Sequence, residues 1–153
     1  MNAVNICLLA LNLWLGNASV SEGRLETMQS ACVEVAEKAR EQGMDRNLAL
    51  AMAWEESRFT PSAVSPEGAI GTMQVIPRWA CPNRTARGCD LVAAGVRAYL
   101  TWLKRYKEPR LALCHYNSGN SCNRRSMAYA AKVERRAKRL GQAVNDAAYV
   151  GRR

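Results

Sequence analysis

The chain has no charged side chain before Glu22, one histidine, and thirteen acidic residues against twenty-two basic ones. Each shortage narrows the reading. The uncharged start contains the apolar run Ile6 to Leu15 (ICLLALNLWL), followed by Gly16-Asn17-Ala18-Ser19. That run is too short to span a bilayer comfortably. Its length and the small residues after it predict a secretory signal peptide over 1–18, cut after Ala18, and therefore an exported protein. No Lys or Arg precedes the run, so an amphipathic start helix or an uncleaved anchor is the other reading. Cys7 lies inside the run, and Val4-Asn5-Ile6 does not resemble a lipobox, so no lipoprotein is expected.

The shortage of acids leaves a net charge of +9. Such a charge suits a polyanionic partner: nucleic acid, an acidic membrane surface or an anionic wall polymer. No zinc finger, RNP-like aromatic block or Walker loop is present, so no nucleic-acid partner is predicted. No Cys-x-x-Cys knuckle accompanies His115, so no metal is predicted, and no organic cofactor is implied. His115 reads as a helix-face residue. The 153 residues suit one domain with a real core.

Removal of the leader would take Cys7 and leave Cys32, Cys81, Cys89, Cys114 and Cys122. Disulfides suit an exported protein. Cys81/Cys89 and Cys114/Cys122 each bracket a short polar loop and are the favoured pairs. Cys32 is then left over on an apolar helical stripe, as a core residue.

The pattern is mainly helical. Leu25, Met28, Cys32, Val35 and Ala39 recur at helical steps through 21–42, and Gly43 offers a stop. Asp45 can cap a helix over 46–57 that is apolar nearly all round, hence buried. Pro61, Pro66 and Gly68 break regularity, and 69–76 has room for at most a small β element. Asp90 can cap a helix over 91–107, and Pro109 can open a short one through about Tyr116. Asn117 to Asn123 reads as a turn cluster. Ser126 can cap a last helix to Leu140, stopped by Gly141, with 142–153 as a basic C-terminal tail. Arg135, Arg136, Lys138 and Arg139 give that helix a cationic face suited to an anionic wall or membrane surface.

The most informative stretch is Ala53 to Pro77, where Glu55-Glu56 close an apolar helix. Desolvation there would raise a carboxyl pKa and keep a general acid protonated near neutral pH. Glu56-Ser57, then Phe59, Pro61, Ala63, Ser65, Gly68-Ala69, Gly71 and Met73-Gln74-Val75, closing at Pro77, resemble the catalytic segment of the soluble lytic transglycosylases. Ala112 to Gly119 (ALCHYNSG) resembles that family's Tyr-Asn-x-Gly segment. Tyr129 with Lys132-Val133 resembles its C-terminal tyrosine region. Asn120-Ser121-Cys122 departs from the Gly-Pro that often follows in the family.

The resemblance implies a lysozyme-like α+β domain over 19–141 that cleaves peptidoglycan glycan strands in the periplasm or cell envelope. It implies Glu56 as the catalytic acid and base. Ser65, Met73, Gln74, Tyr116 and Asn117 would line the sugar groove, and Tyr129 would hydrogen-bond near the catalytic carboxyl. Most glycosidases need a second carboxylate. Glu55 cannot easily supply it, because adjacent helical residues point about 100° apart. A single acid suits the family's route, in which the substrate's own C6 hydroxyl attacks and leaves a 1,6-anhydromuramoyl end. A hydrolytic muramidase on the same fold is the first alternative. A catalytically silent, cationic wall-binding or assembly protein is the second.

Overall fold

The computed structural model describes all 153 residues. Seven helices carry the fold: α1 (Ala3–Leu15), α2 (Glu22–Gln42), α3 (Arg46–Ser57), α4 (Pro77–Ala80), α5 (Leu91–Tyr106), α6 (Pro109–Ser118) and α7 (Arg124–Val150). The only β structure is a pair of isolated antiparallel bridges, Val64 with Ile70 and Ile70 with Val75. This is the mainly α architecture, with its small β element, that the sequence predicts.

Helix ends follow the capping residues. Ser21, Asp45 and Asp90 each accept a hydrogen bond from the third residue of the helix they open. Gly43 closes α2 in the left-handed conformation that glycine adopts without cost. The consequence is a central α3, packed against α2 on one side and α7 on the other. Its residues Ala49 to Trp54 are consecutively buried, which only a helix surrounded on all sides can achieve. Three of those six are alanines, and their small side chains let neighbouring helices approach closely. The tightly buried Leu50 and Met52 fill the space between. Truncation of either to Ala would cost about 2–5 kcal/mol.

Several expectations are corrected. The last helix does not stop at Gly141 but continues to Val150. Gly141 faces the Asn47 amide, which would stand 3.2 Å from a Cβ at that position, and Val144 beyond it packs against the core. Packing against α1 and α3 therefore outweighs the roughly 1 kcal/mol that glycine costs in a helix. The cap of this helix is Asn123, in a reciprocal capping box with Ser126, rather than Ser126 itself. Asn117 and Ser118 belong to α6 rather than to the turn that follows.

A further correction concerns Cys32. It is not left over: it is bonded to Cys7. The apolar run at the N-terminus forms α1, whose Ile6, Cys7, Ala10 and Leu11 are all buried in the same core as α2 and α3. The other two bridges, Cys81–Cys89 and Cys114–Cys122, join the expected pairs, and no cysteine is free.

Candidate active site

Glu55 and Glu56 stand on the last turn of α3. The chain turns sharply after them. Arg58 and Phe59 both take positive φ, of 50° and 56°. Left-handed backbone costs about 1–2 kcal/mol at each such residue. Surrounding contacts compensate: Phe59 is fully buried, and the Arg24 guanidinium donates to the Arg58 carbonyl at 3.1 Å and to Thr60 Oγ1 at 2.6 Å. Ser57 then ties the helix end to the loop region. Its hydroxyl donates to the Thr72 carbonyl at 2.7 Å and accepts from the Thr60 amide at 3.0 Å. The residue following the candidate acid is thus a structural rivet between α3 and residues 60–76.

Those residues form a tight lobe around the two bridges. Ser65 Oγ accepts from the Ala69 amide at 3.0 Å and closes the 65–69 turn. Gln74 has φ 52°, and its amide nitrogen donates to the carbonyls of Ala63 and Gly71, both at 3.0 Å. Gln74 therefore braces the lobe from within, and its side-chain oxygen is the atom left to accept from a ligand. Met73 is almost wholly buried. It contributes its carbonyl, which accepts from the Tyr116 hydroxyl at 2.6 Å. Asn117 is exposed beside Tyr116 on the last turn of α6.

Close approach at Met73 depends on a residue that sequence reasoning missed. Gly95 lies inside α5, where a Cβ would stand 2.6 Å from Met73 Cβ and 3.2 Å from the Tyr116 hydroxyl. An interior helical glycine costs about 0.5–1 kcal/mol relative to Ala, so space, not backbone conformation, explains its presence. Nothing in the helical pattern of 91–106 marks it, because the contact is with a distant loop.

Glu56 is the most perturbed carboxyl in the chain. Burial is the main cause and lifts its pKa from 4.5 to about 7. The neighbouring Glu55 pushes in the same direction, while the hydrogen bond from Tyr129 pulls against it. That bond runs from the Tyr129 hydroxyl on α7 to Glu56 Oε2 at 2.7 Å. The residue keeps some surface, yet its carboxyl lies deep enough among protein atoms for desolvation to dominate. Burial also raises the Tyr116 and Tyr129 phenols well above 10, and the Glu56 charge adds to both shifts. Both phenols therefore remain protonated donors at any pH the protein meets.

No basic side chain pairs with Glu56. Arg58, its nearest basic residue in sequence, lies instead over the Trp54 ring at 5.5 Å. Glu55 is the carboxylate that takes a base: Arg136 Nε donates to its Oε1 at 2.8 Å. The other nearby acids are occupied or remote. Asp90 caps α5 and meets Lys38 at 3.5 Å, Glu108 precedes α6 on the surface, and Glu67 is exposed on the 65–69 turn. His115 is not on an exposed helix face. It is buried, stacked on Tyr106 with centroids 4.0 Å apart, and its Nδ1 lies 2.7 Å from the Gly119 carbonyl. A carbonyl only accepts, so Nδ1 carries the proton and the ring clamps the end of α6.

The arrangement is a protonatable carboxyl, poised near neutral pH, held by a tyrosine from another helix and backed by a braced loop. Such a group can give a proton to a leaving oxygen and take one back. No curated protein and no solved structure matches this chain. The sequence profile of the transglycosylase SLT domain matches residues 34–138, more than half of the chain and the run from α2 to α7 that holds Glu56, Gln74, Tyr116 and Tyr129. The chain belongs to the transglycosylase SLT domain family, whose members act on peptidoglycan.

Proposed function

We propose that this protein is a lytic transglycosylase that cuts the β-1,4 bond between N-acetylmuramic acid and N-acetylglucosamine and leaves 1,6-anhydromuramoyl ends. The observation that carries the reading is the solitary, desolvated Glu56 carboxyl, with no second acid free beside it. In this reaction Glu56, protonated, gives its proton to the bridging oxygen as the bond to the muramoyl C1 breaks. The departing sugar leaves as an alcohol. The Glu56 carboxylate then takes the proton of the muramoyl C6 hydroxyl as that oxygen bonds to C1. The acid is regenerated, no water is consumed, and one carboxyl serves both steps. Intramolecular attack replaces the second carboxylate that other glycosidases need.

Tyr129 holds the carboxyl in one rotamer throughout. Gln74 Oε1, Asn117 and the Tyr116 ring are the groups we assign to the glycan, with Ser65 and Met73 shaping the loop that carries Gln74. A pKa of about 7 puts the acid near half-protonation at neutral pH, where general catalysis works best. The net charge of +9 favours capture of an anionic wall, and three disulfides favour an oxidising location such as the periplasm or cell envelope.

The test is mass spectrometry of the fragments released from purified peptidoglycan. Muropeptides lighter than their hydrolytic equivalents by one water are expected, and none from a folded Glu56→Gln variant. Reducing ends would make the protein a hydrolytic muramidase. No release by folded protein would make it a binding or assembly protein.

A further inference from the structure

Outside the matched residues lies an element with an unusual position. α1 precedes residue 34 entirely, yet its Cys7 is bonded to Cys32 and its Trp14 reaches the end of α3. The Trp14 ring lies 5.7 Å from Trp54 and 6.2 Å from Phe59, the two aromatics that flank Glu55, Glu56 and the turn after them. The Arg136 guanidinium lies over both tryptophan rings, 5.5 Å from Trp14 and 5.8 Å from Trp54. From there Arg136 bonds Glu55, whose side chain is only 14% exposed. A guanidinium among aromatic faces is weakly hydrated and held in one orientation, which favours a fixed ion pair.

We propose that α1 is a permanent part of the working domain, and that Trp14 and Arg136 are positioning residues for the acid: Trp14 closes over Arg136, Arg136 holds Glu55, and Glu55 fixes the helix turn on which Glu56 stands. This rests on the reading of Glu56 as the acid. Cleavage after Ala18 would remove Cys7 and three other buried α1 side chains, strip Cys32 of its partner, and uncover Trp54 and Arg136. Retention of α1 keeps that face closed, and gives the apolar run of residues 1–18 a structural role in the folded domain.

The pair also has an electrostatic side. The charged and titratable groups that face Glu56 are Glu55 on its own helix, Tyr129 on α7 and Tyr116 on α6; Arg136 on α7 acts through the Glu55 carboxylate that it binds. Loss of the Arg136 charge leaves Glu55 as an unneutralised anion beside the acid. Loss of the Glu55 charge leaves Arg136 as an unneutralised cation. The two changes therefore push the Glu56 titration in opposite directions.

The experiment measures kcat against pH on purified glycan strands for the full chain. Arg136→Gln should move the titration of the acid to higher pH, and Glu55→Gln to lower pH, each by about half a unit or more. The double variant should return close to the wild-type profile. A merely structural pair would lose activity in all three without opposed shifts, and that result overturns the assignment. Trp14→Phe keeps the ring contacts and should keep kcat, whereas Trp14→Ala should lower kcat with little change in KM; equal kcat in both overturns the role of Trp14. Intact-mass analysis of the reduced protein recovered from its native cells should find residues 3–15 still joined to the chain by peptide bonds. A fully active chain beginning near Ser19 overturns retention. If the wild-type protein makes no anhydromuramoyl ends, the functional reading fails instead, a separate outcome.

Discussion

Replacing Glu56 by Gln should make the protein more stable at alkaline pH while it destroys the proposed activity. The folded chain holds the Glu56 proton up to about pH 7, whereas a solvated glutamate releases it near 4.5. Between those values the folded state binds a proton that the unfolded state does not. Stability therefore falls as pH rises through the window from about 4.5 to about 7, and stays reduced above it. A shift from 4.5 to about 7 corresponds to about 3 kcal/mol at 1.36 kcal/mol per unit. The amide introduced by Glu56→Gln would keep an oxygen to accept from Tyr129 but would bring an N–H group in need of a partner, at a cost of about 1 kcal/mol. A net gain of about 2 kcal/mol at pH 8 is expected. For a chain of this size that is about 4–8 °C in Tm, with a much smaller gap or none at pH 4.5. Thermal or urea unfolding of both proteins from about pH 4 to about pH 9 measures it. A pH-independent difference, or a variant less stable than wild type at alkaline pH, would refute the claim that Glu56 is desolvated and poorly compensated.

Two further substitutions probe the supports of the site. Tyr129→Phe removes the hydrogen bond that pulls the Glu56 pKa down, so the alkaline limb of the rate profile, where the acid loses its proton, should move to higher pH. The loss of a bond to a charged group, about 1.5–3 kcal/mol, should lower kcat by about ten- to a hundredfold in steady-state assays. Gly95→Ala should be destabilising by about 1–3 kcal/mol despite the better helix propensity of Ala, because the new methyl meets Met73 at 2.6 Å. The same methyl crowds the Tyr116 hydroxyl, so activity should fall more than unfolding at assay temperature explains; a Gly95→Ala protein as stable and active as wild type would remove Gly95 from the site.

Much of the helical frame is legible in the sequence because local rules and packing agree there. Ser21, Asp45 and Asp90 cap as their side chains dictate, and Gly43 stops α2 where only glycine is unstrained. The errors fall where a distant partner decides. Gly141 carries the stop signal of an isolated helix, but α1 and α3 lie alongside and α7 continues. Pairing of Cys7 with Cys32 is invisible in a run whose composition also suits a leader, since apolar residues bound for a core and those bound for a translocation channel look alike. His115 lies on a helix as expected, but its aromatic partners come from α5.

The site divides along the same line. Glu56, Ser57, Gln74, Tyr116 and Tyr129 are legible as ordered motif positions, and the structure brings the distant pair Glu56 and Tyr129 to 2.7 Å. What each of the others does locally is not legible. Ser57 and Gln74 bond backbone carbonyls, and Met73 is buried, so much of the motif builds the loop that would present a sugar to the acid. A motif constrained by loop geometry is recognisable because each position has one conformation to satisfy, as the positive φ at Gln74 and Gly71 shows. The Trp14–Arg136–Glu55 chain obeys no such local constraint. Its members come from three helices and meet only through packing, so the charge beside the acid is set by residues whose spacing along the chain carries no signal. Glu55, taken alone, reads as an ordinary surface acid; its ion pair with Arg136 leaves Glu56 as the carboxyl of the two without a basic partner.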